Sequence, residues 1–240
     1  MTKIVSVVNM ALTTSRAIAD RLRVIRDGDD DLTAAQRQAR ERLLTTATDH
    51  FARFGYRKAS IGAIAIDAGV GKGTVYLHFE SKKSLLVACI ANEKLRIMPE
   101  VEHMFTLEGP QRLESFLRTS VQFVVTSPLS SAILRGDREL EAILADMDPT
   151  EWSDDEAGGK ELVVDMIQAA APGLGEREAQ DLAEVVRVAV LLPAHLPVAG
   201  VPVPSDRFVD SYVKLLARGV EALSPAHGDA NQTKPEGPNT

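Results

Sequence analysis

The chain has 240 residues, with 27 Lys plus Arg against 34 Asp plus Glu, a formal net charge of -7 and 45% hydrophobic residues. That balance fits a folded protein of one or two domains and excludes a collagen, a fully disordered chain and a small disulfide scaffold. The single cysteine, Cys89, has no intrachain partner and reads as a thiol of a reducing, cytoplasmic compartment. No apolar run approaches the roughly 18 residues of a membrane helix. Residues 4–12 are apolar but short and broken by Ser6 and Asn9, which reads against a secretory signal.

In chain order, residues 1–32 form an extension. Ile18, Leu22 and Ile25 have helical spacing, and Asp27, Gly28, Asp29, Asp30 and Asp31 break it, so a short frayed helix and a partly disordered acidic linker are expected. Thr33 followed by Gln36 is a capping-box signal. The helix it starts carries Leu43, Ala47, Phe51 and Phe54 on one face and should end at Gly55. Ser60 should cap a short helix to Ala68, Gly69 make a turn, and a third helix run from about Gly71 to Leu77. Ser81 should cap a fourth, with Leu86, Ile90 and Ile97 on one stripe.

Helical periodicity continues beyond residue 110, through Leu113–Leu117–Val121–Val124, then around Leu140, then around Leu162 and Met166. Helices are predicted over about 176–192 and 205–223, with apolar arcs wider than one core face requires, so each needs a second burial partner. Val213 and Leu216 are the expected interface positions on the later one. Prolines 193, 197, 202 and 204 forbid one continuous helix between them. Residues 224–240, with no large apolar side chain, are expected to be disordered. The fold class is therefore all-α, with a unit at 33–80 and a larger helical unit at 81–223.

Charge is distributed unevenly. Residues 1–96 carry 16 basic and 10 acidic side chains, whereas residues 97–240 carry 11 and 24. A basic front and an acidic back orient an encounter with a polyanion, although asymmetry of this size also arises on ordinary surfaces. The sharper signal is the stretch SIGAIAIDAGVGKGTVYLHFESKKSL at residues 60–85. Two short helices joined by a glycine turn form a helix-turn-helix. Ile61, Ile64, Ala65 and Ala68 pack the first helix, Gly69 permits the turn and Val70 plugs the corner. The next helix is then held outward with Lys72, Thr74 and Tyr76 available, a form that fits a major groove. Arg57, Lys58, Lys82 and Lys83 flank it as phosphate neutralisers, and the helix starts at Ser60 and Ser81 offer amides to phosphate oxygens.

These residues resemble the TetR family of bacterial transcriptional regulators. The resemblance rests on Ala68-Gly69-Val70, Lys72-Gly73-Thr74-Val75-Tyr76, His78-Phe79, Ser81-Lys82 and Leu85, preceded by Phe51-Ala52-Arg53-Phe54-Gly55-Tyr56. It is close over about residues 34–96. It implies that Lys72, Gly73, Thr74 and Tyr76 face double-stranded DNA, with Tyr76 on a phosphate and Lys82 on the backbone. Gly73 would allow a close approach, and His78 and Phe79 would lock the helix onto the core. Gly71 departs from the family's usual Ser or Thr, a loss of up to about 1 kcal/mol of capping. The resemblance further implies a homodimer built on the last two long helices, reading a palindromic operator. Its two recognition helices would lie about 34–36 Å apart. It also implies a small hydrophobic or amphipathic effector, for which Met104, Phe105, Phe116, Phe123, Met147, Trp152, Met166 and His195 are candidate walls and equally plain core.

Other signals are weaker. The run Gly69–Thr74 imitates a phosphate-binding loop, but Ile66 stands where a glycine is required, Gly73 follows Lys72, and no strand precedes it. No enzymatic activity, metal or cofactor is expected. The five histidines lack metal-ligand spacing. An all-helical ligand-binding or interaction module without DNA binding remains the alternative.

Overall fold

The computed structural model describes residues 19–20, 22–27, 33–145, 156–196, 199–200, 202 and 204–224. Every regular element among them is helical. Residues 19–20 and 22–27 are helical, followed by α1 (Ala34–Lys58), α2 (Ile61–Asp67), α3 (Lys72–His78), α4 (Lys82–Leu95) and α5 (Met98–Met104). Then come α6 (Gly109–Thr126), α7 (Pro128–Leu134), α8 (Arg138–Leu144), α9 (Glu156–Ala170), α10 (Glu176–Leu191), a 3-10 turn (Leu192–His195) and α11 (Asp206–Glu221).

The local signals of the first unit act as expected. The Thr33 hydroxyl accepts from the Gln36 amide at 3.3 Å, and the Gln36 side chain accepts from the Thr33 amide at 2.8 Å. The regular α1 breaks at Gly55, where φ is 74°, and one further turn carries the chain to Lys58. A Cβ at that φ would be strained, which is why glycine stands there. Gly69, at φ 68°, makes the turn between α2 and α3. Ser81 caps α4 reciprocally with Ser84, at 3.0 and 2.9 Å. Ser60 differs. It occupies the start of α2 without a side-chain cap bond, its side chain exposed.

Two breaks in the second unit were hidden from periodicity. The stripe Leu86–Ile90–Ile97 does not belong to one helix. α4 ends at Leu95, and α5 begins with Pro99 in its first turn, where the missing N–H costs nothing. Pro128 likewise opens α7 immediately after α6.

Two apolar cores result. Phe51 of α1, Ile64 of α2, Val75 of α3, Phe79 and Leu86 of α4 share the first. Leu129 of α7 and Leu140 of α8 close it, so it extends beyond residue 80 and binds the two units together. Leu117, Val121, Met166, Val186 and Val213 centre the second. Glu93 of α4 reinforces the joint. Its carboxylate accepts from the amides of Leu129 and Ser130, at 3.0 and 2.8 Å, and from the Ser130 hydroxyl at 2.7 Å. An anion at the first turn of α7 offsets the unpaired amides there.

Cys89 is fully buried in the first core, and burial pushes its thiol pKa up to about 12. The thiolate is the reactive form, so Cys89 should resist alkylation in the native protein and react at once after urea unfolding. Timing colour release from a disulfide reagent checks this; equal rates in both states would contradict the burial.

Residues 146–155 and 225–240 lie outside the described residues, and with them Met147, Trp152 and the expected disordered tail. The extension differs from a merely frayed helix, because Ala19 and Leu22 are buried.

Candidate nucleic-acid interface

The third helix is only seven residues long, so its orientation comes from packing rather than from its own stability. Val75 is buried within it and Phe79 just after it, a spacing of four that defines one inward stripe. The opposite face is left to solvent. Lys72, Gly73 and Tyr76 are exposed, and Thr74 is half-buried. The Lys72 ammonium lies 5.9 Å from the Tyr76 ring centroid, a loose cation–π approach that keeps both side chains on the same face. A Cβ at Gly73 would meet nothing within 4 Å. Nothing among the described residues crowds that position.

Gly71 stands at the start of α3 without a side-chain cap. An added Cβ would meet only the Thr74 hydroxyl, at an ordinary 3.6 Å. The lost cap is thus real, but space for a serine remains. The Gly69–Thr74 run is the turn between two helices and the start of the second, not a phosphate loop after a strand.

The flanking cations are placed unequally. Lys58 is exposed. The Arg57 side chain is 88% exposed, yet its Nε lies 3.3 Å from Glu139 of α8, and its backbone N–H donates to the same carboxylate at 3.0 Å. Lys82 is turned partly inward. Its Nζ donates to the Arg57 carbonyl at 3.2 Å and sits 4.5 Å from the Tyr56 ring centroid, and burial lowers its pKa. An ammonium has three donors, so Lys82 can brace the turn after α1 and still reach a phosphate.

Two outward residues escaped the sequence reading. Leu77 is 83% exposed on α3 and Ile66 78% exposed on α2. The signal was present, since Leu77 falls midway between Val75 and Phe79 and so points away from the core.

Those of the expected effector residues that are described do not line one cavity together. Met104, Phe105 and Met166 are buried in the second core, with Phe116 packed against it. Phe123 is half-buried, and His195 is exposed with its Nδ1 3.3 Å from the Leu191 carbonyl. A cavity of about 330 Å³ instead lies between the two units, walled by Phe51, Tyr56, Val124, Leu129, Leu140 and Pro193. A second groove, of about 370 Å³, runs between Glu100, Arg118, Gln122 and Asp210. No helix among the described residues is long and apolar enough to cross a membrane.

A bundle of helices whose front unit presents α3 on a glycine turn defines a helix-turn-helix protein. Residues 43–89 match the family model of bacterial regulatory proteins, tetR family. Over those residues the chain is similar to that family. It is 36% identical over 86 residues to the HTH-type transcriptional repressor KstR of Rhodococcus jostii, covering 35% of this chain and 41% of that protein. It is 31% identical over 106 residues to the probable acrEF/envCD operon repressor of Escherichia coli, covering 41% and 46%. The chain thus spans less than half the length of these relatives. Among solved structures it resembles a TetR-like transcriptional regulator from Rhodococcus sp. RHA1. The TM-score is 0.58 at 21% identity, over 80% of this chain and 97% of that one. The ketosteroid transcriptional regulator KstR2 of Mycobacterium tuberculosis gives a TM-score of 0.54 at 16% identity, over 81% and 97%. At these identities the likeness is one of fold.

Proposed function

We propose that the chain is a DNA-binding transcriptional regulator, a homodimeric repressor that reads an inverted-repeat operator and is released by a small apolar or amphipathic effector. The observation that carries this reading is α3 itself. It buries one stripe and leaves Lys72, Gly73 and Tyr76 exposed beside Arg57 and Lys58. Such a surface suits base edges flanked by phosphates. Leu77, exposed on the same helix, suits thymine methyl groups, which apolar side chains read. The relatives whose names say repressor support repression as the output.

Selection of bound duplexes from a random pool tests the reading. A palindromic consensus is expected; enrichment of no sequence would overturn it. Arg57→Ala and Lys58→Ala should each weaken binding to all duplexes alike and lower the slope of affinity against salt by about one. A slope unchanged in both would remove them from the phosphate contacts. The alternative, a helical module without DNA binding, predicts no salt dependence at all.

For the effector, the cavity between the units is the best-placed site. Phe51 and Tyr56 belong to the reading unit, and Val124 and Pro193 to the rest. An effector seated there touches both, and only a ligand that prefers one arrangement of the units shifts their equilibrium.

A further inference from the structure

We propose that the helical residues 19–20 and 22–27 are a working part of the DNA-reading unit, and that Arg40 is the positioning residue tying them to the end of α3. This rests on the DNA-binding reading above.

Arg40 lies near the start of α1 and is 5% exposed. A guanidinium keeps its charge in a protein, so a buried one has to be bonded. Its Nε donates to the Arg26 carbonyl at 2.6 Å, and its Nη1 donates to the His78 carbonyl at 3.2 Å. The guanidinium carbon sits 4.2 Å from the centroid of the Phe79 ring. Arg26 is in the last turn of the N-terminal helical segment, and His78 is the last residue of α3. Carbonyls at helix ends lack an intrahelical partner and gather partial negative charge. One cation therefore caps two helix ends and covers the aromatic anchor beside the second.

The segment is held from its own side as well. Ala19 and Leu22, three residues apart, are buried. The Arg26 guanidinium is held by Asp27 at 2.7 Å and also senses the Glu41 carboxylate of α1. The segment thus lies along the start of α1, with Arg40 between it and α3.

The consequence falls on sequence reading. With Val75 its only buried residue, α3 can tilt if its end is released. Base-edge hydrogen bonds do not survive a tilt, whereas phosphate contacts tolerate it. Undocking the segment should therefore lower operator affinity and spare binding to random DNA.

Full-length Leu22→Asp and Arg40→Gln test this, with Arg40→Lys as the conservative variant. Leu22→Asp alters no residue of the proposed DNA face. Amide hydrogen exchange at residues 75–79 is read against α10 as an internal reference. Exchange at 75–79 should rise by roughly tenfold in the first two variants with α10 unchanged. Operator affinity should fall by about tenfold while affinity for random duplex stays within about twofold. Arg40→Lys, which keeps a donating cation, should recover part of both. Unchanged exchange at 75–79 in folded Leu22→Asp protein would overturn the proposal. So would an equal rise in α10, which marks general loosening. If Arg40→Gln does not fold, Leu22→Asp decides alone. If wild-type protein selects no duplex, the DNA-binding reading fails, and the exchange measurement still decides the docking.

Discussion

Lys72→Ala and Tyr76→Ala should each weaken binding to the selected operator by about 1–3 kcal/mol, a factor of roughly 5 to 150, and leave the fold intact. Both side chains lie outside the cores, with Tyr76 at 48% exposure. Removing them therefore creates no cavity and strands no buried partner. The two variants should separate in their salt response. Lys72→Ala loses a charge and flattens the slope if its ammonium reaches a phosphate, whereas Tyr76→Ala changes affinity at constant slope. Titration of a labelled operator at several salt concentrations, with thermal unfolding as the control, reads both effects. Wild-type affinity in both variants would show that α3 is not the reading element.

Leu215→Glu should convert the proposed dimer to folded monomer, whereas Val213→Glu should unfold the protein. The two residues are neighbours on α11 and face opposite ways. Val213 is fully buried in the second core, and Leu215 is 70% exposed. Phe208, seven residues before Leu215 on α11, extends that exposed apolar face, and Val188 of α10 is also 62% exposed. A single protomer does not bury this surface, and a second copy packed on it would. A Cβ added at Gly219 would meet nothing within 4 Å, so the position is open on its own chain. Glycine inside a helix costs about 1 kcal/mol against alanine, so close approach of a partner helix is the reading that accounts for it. A buried unpaired charge at Leu215 would cost several kcal/mol in such an interface. Sedimentation at micromolar concentration, with circular dichroism for folding, separates the outcomes. A persistent Leu215→Glu dimer would move the interface elsewhere.

The expectation that Val213 faces a partner is thus corrected, and the reason is physical. On α11 the apolar residues cover two arcs, and a periodicity of 3.6 shows that two surfaces exist without showing which one meets the chain's own core. Val209, Val213, Ala217 and Val220 meet α6 and its neighbours, so Leu215 is left outside. The same limit applied to the effector. Met104 and Met166 are large and apolar, which suits a pocket wall and a core equally, and packing made them core.

What the residues determined by themselves was mostly local, the uncapped Ser60 being an exception. Thr33 with Gln36, Gly55, Gly69 and Ser81 act within three or four residues of where they stand, through a hydrogen bond or an allowed φ. Their outcome is therefore written in the order of the chain, and the helix-turn-helix with it. Tertiary structure alone decided the contacts between distant positions. Arg40 meets a carbonyl 38 residues away, Glu93 caps a helix 37 residues on, and Glu139 reaches 82 residues back to Arg57. Such pairs depend on how finished helices pack, and no spacing rule along one strand of sequence carries that geometry.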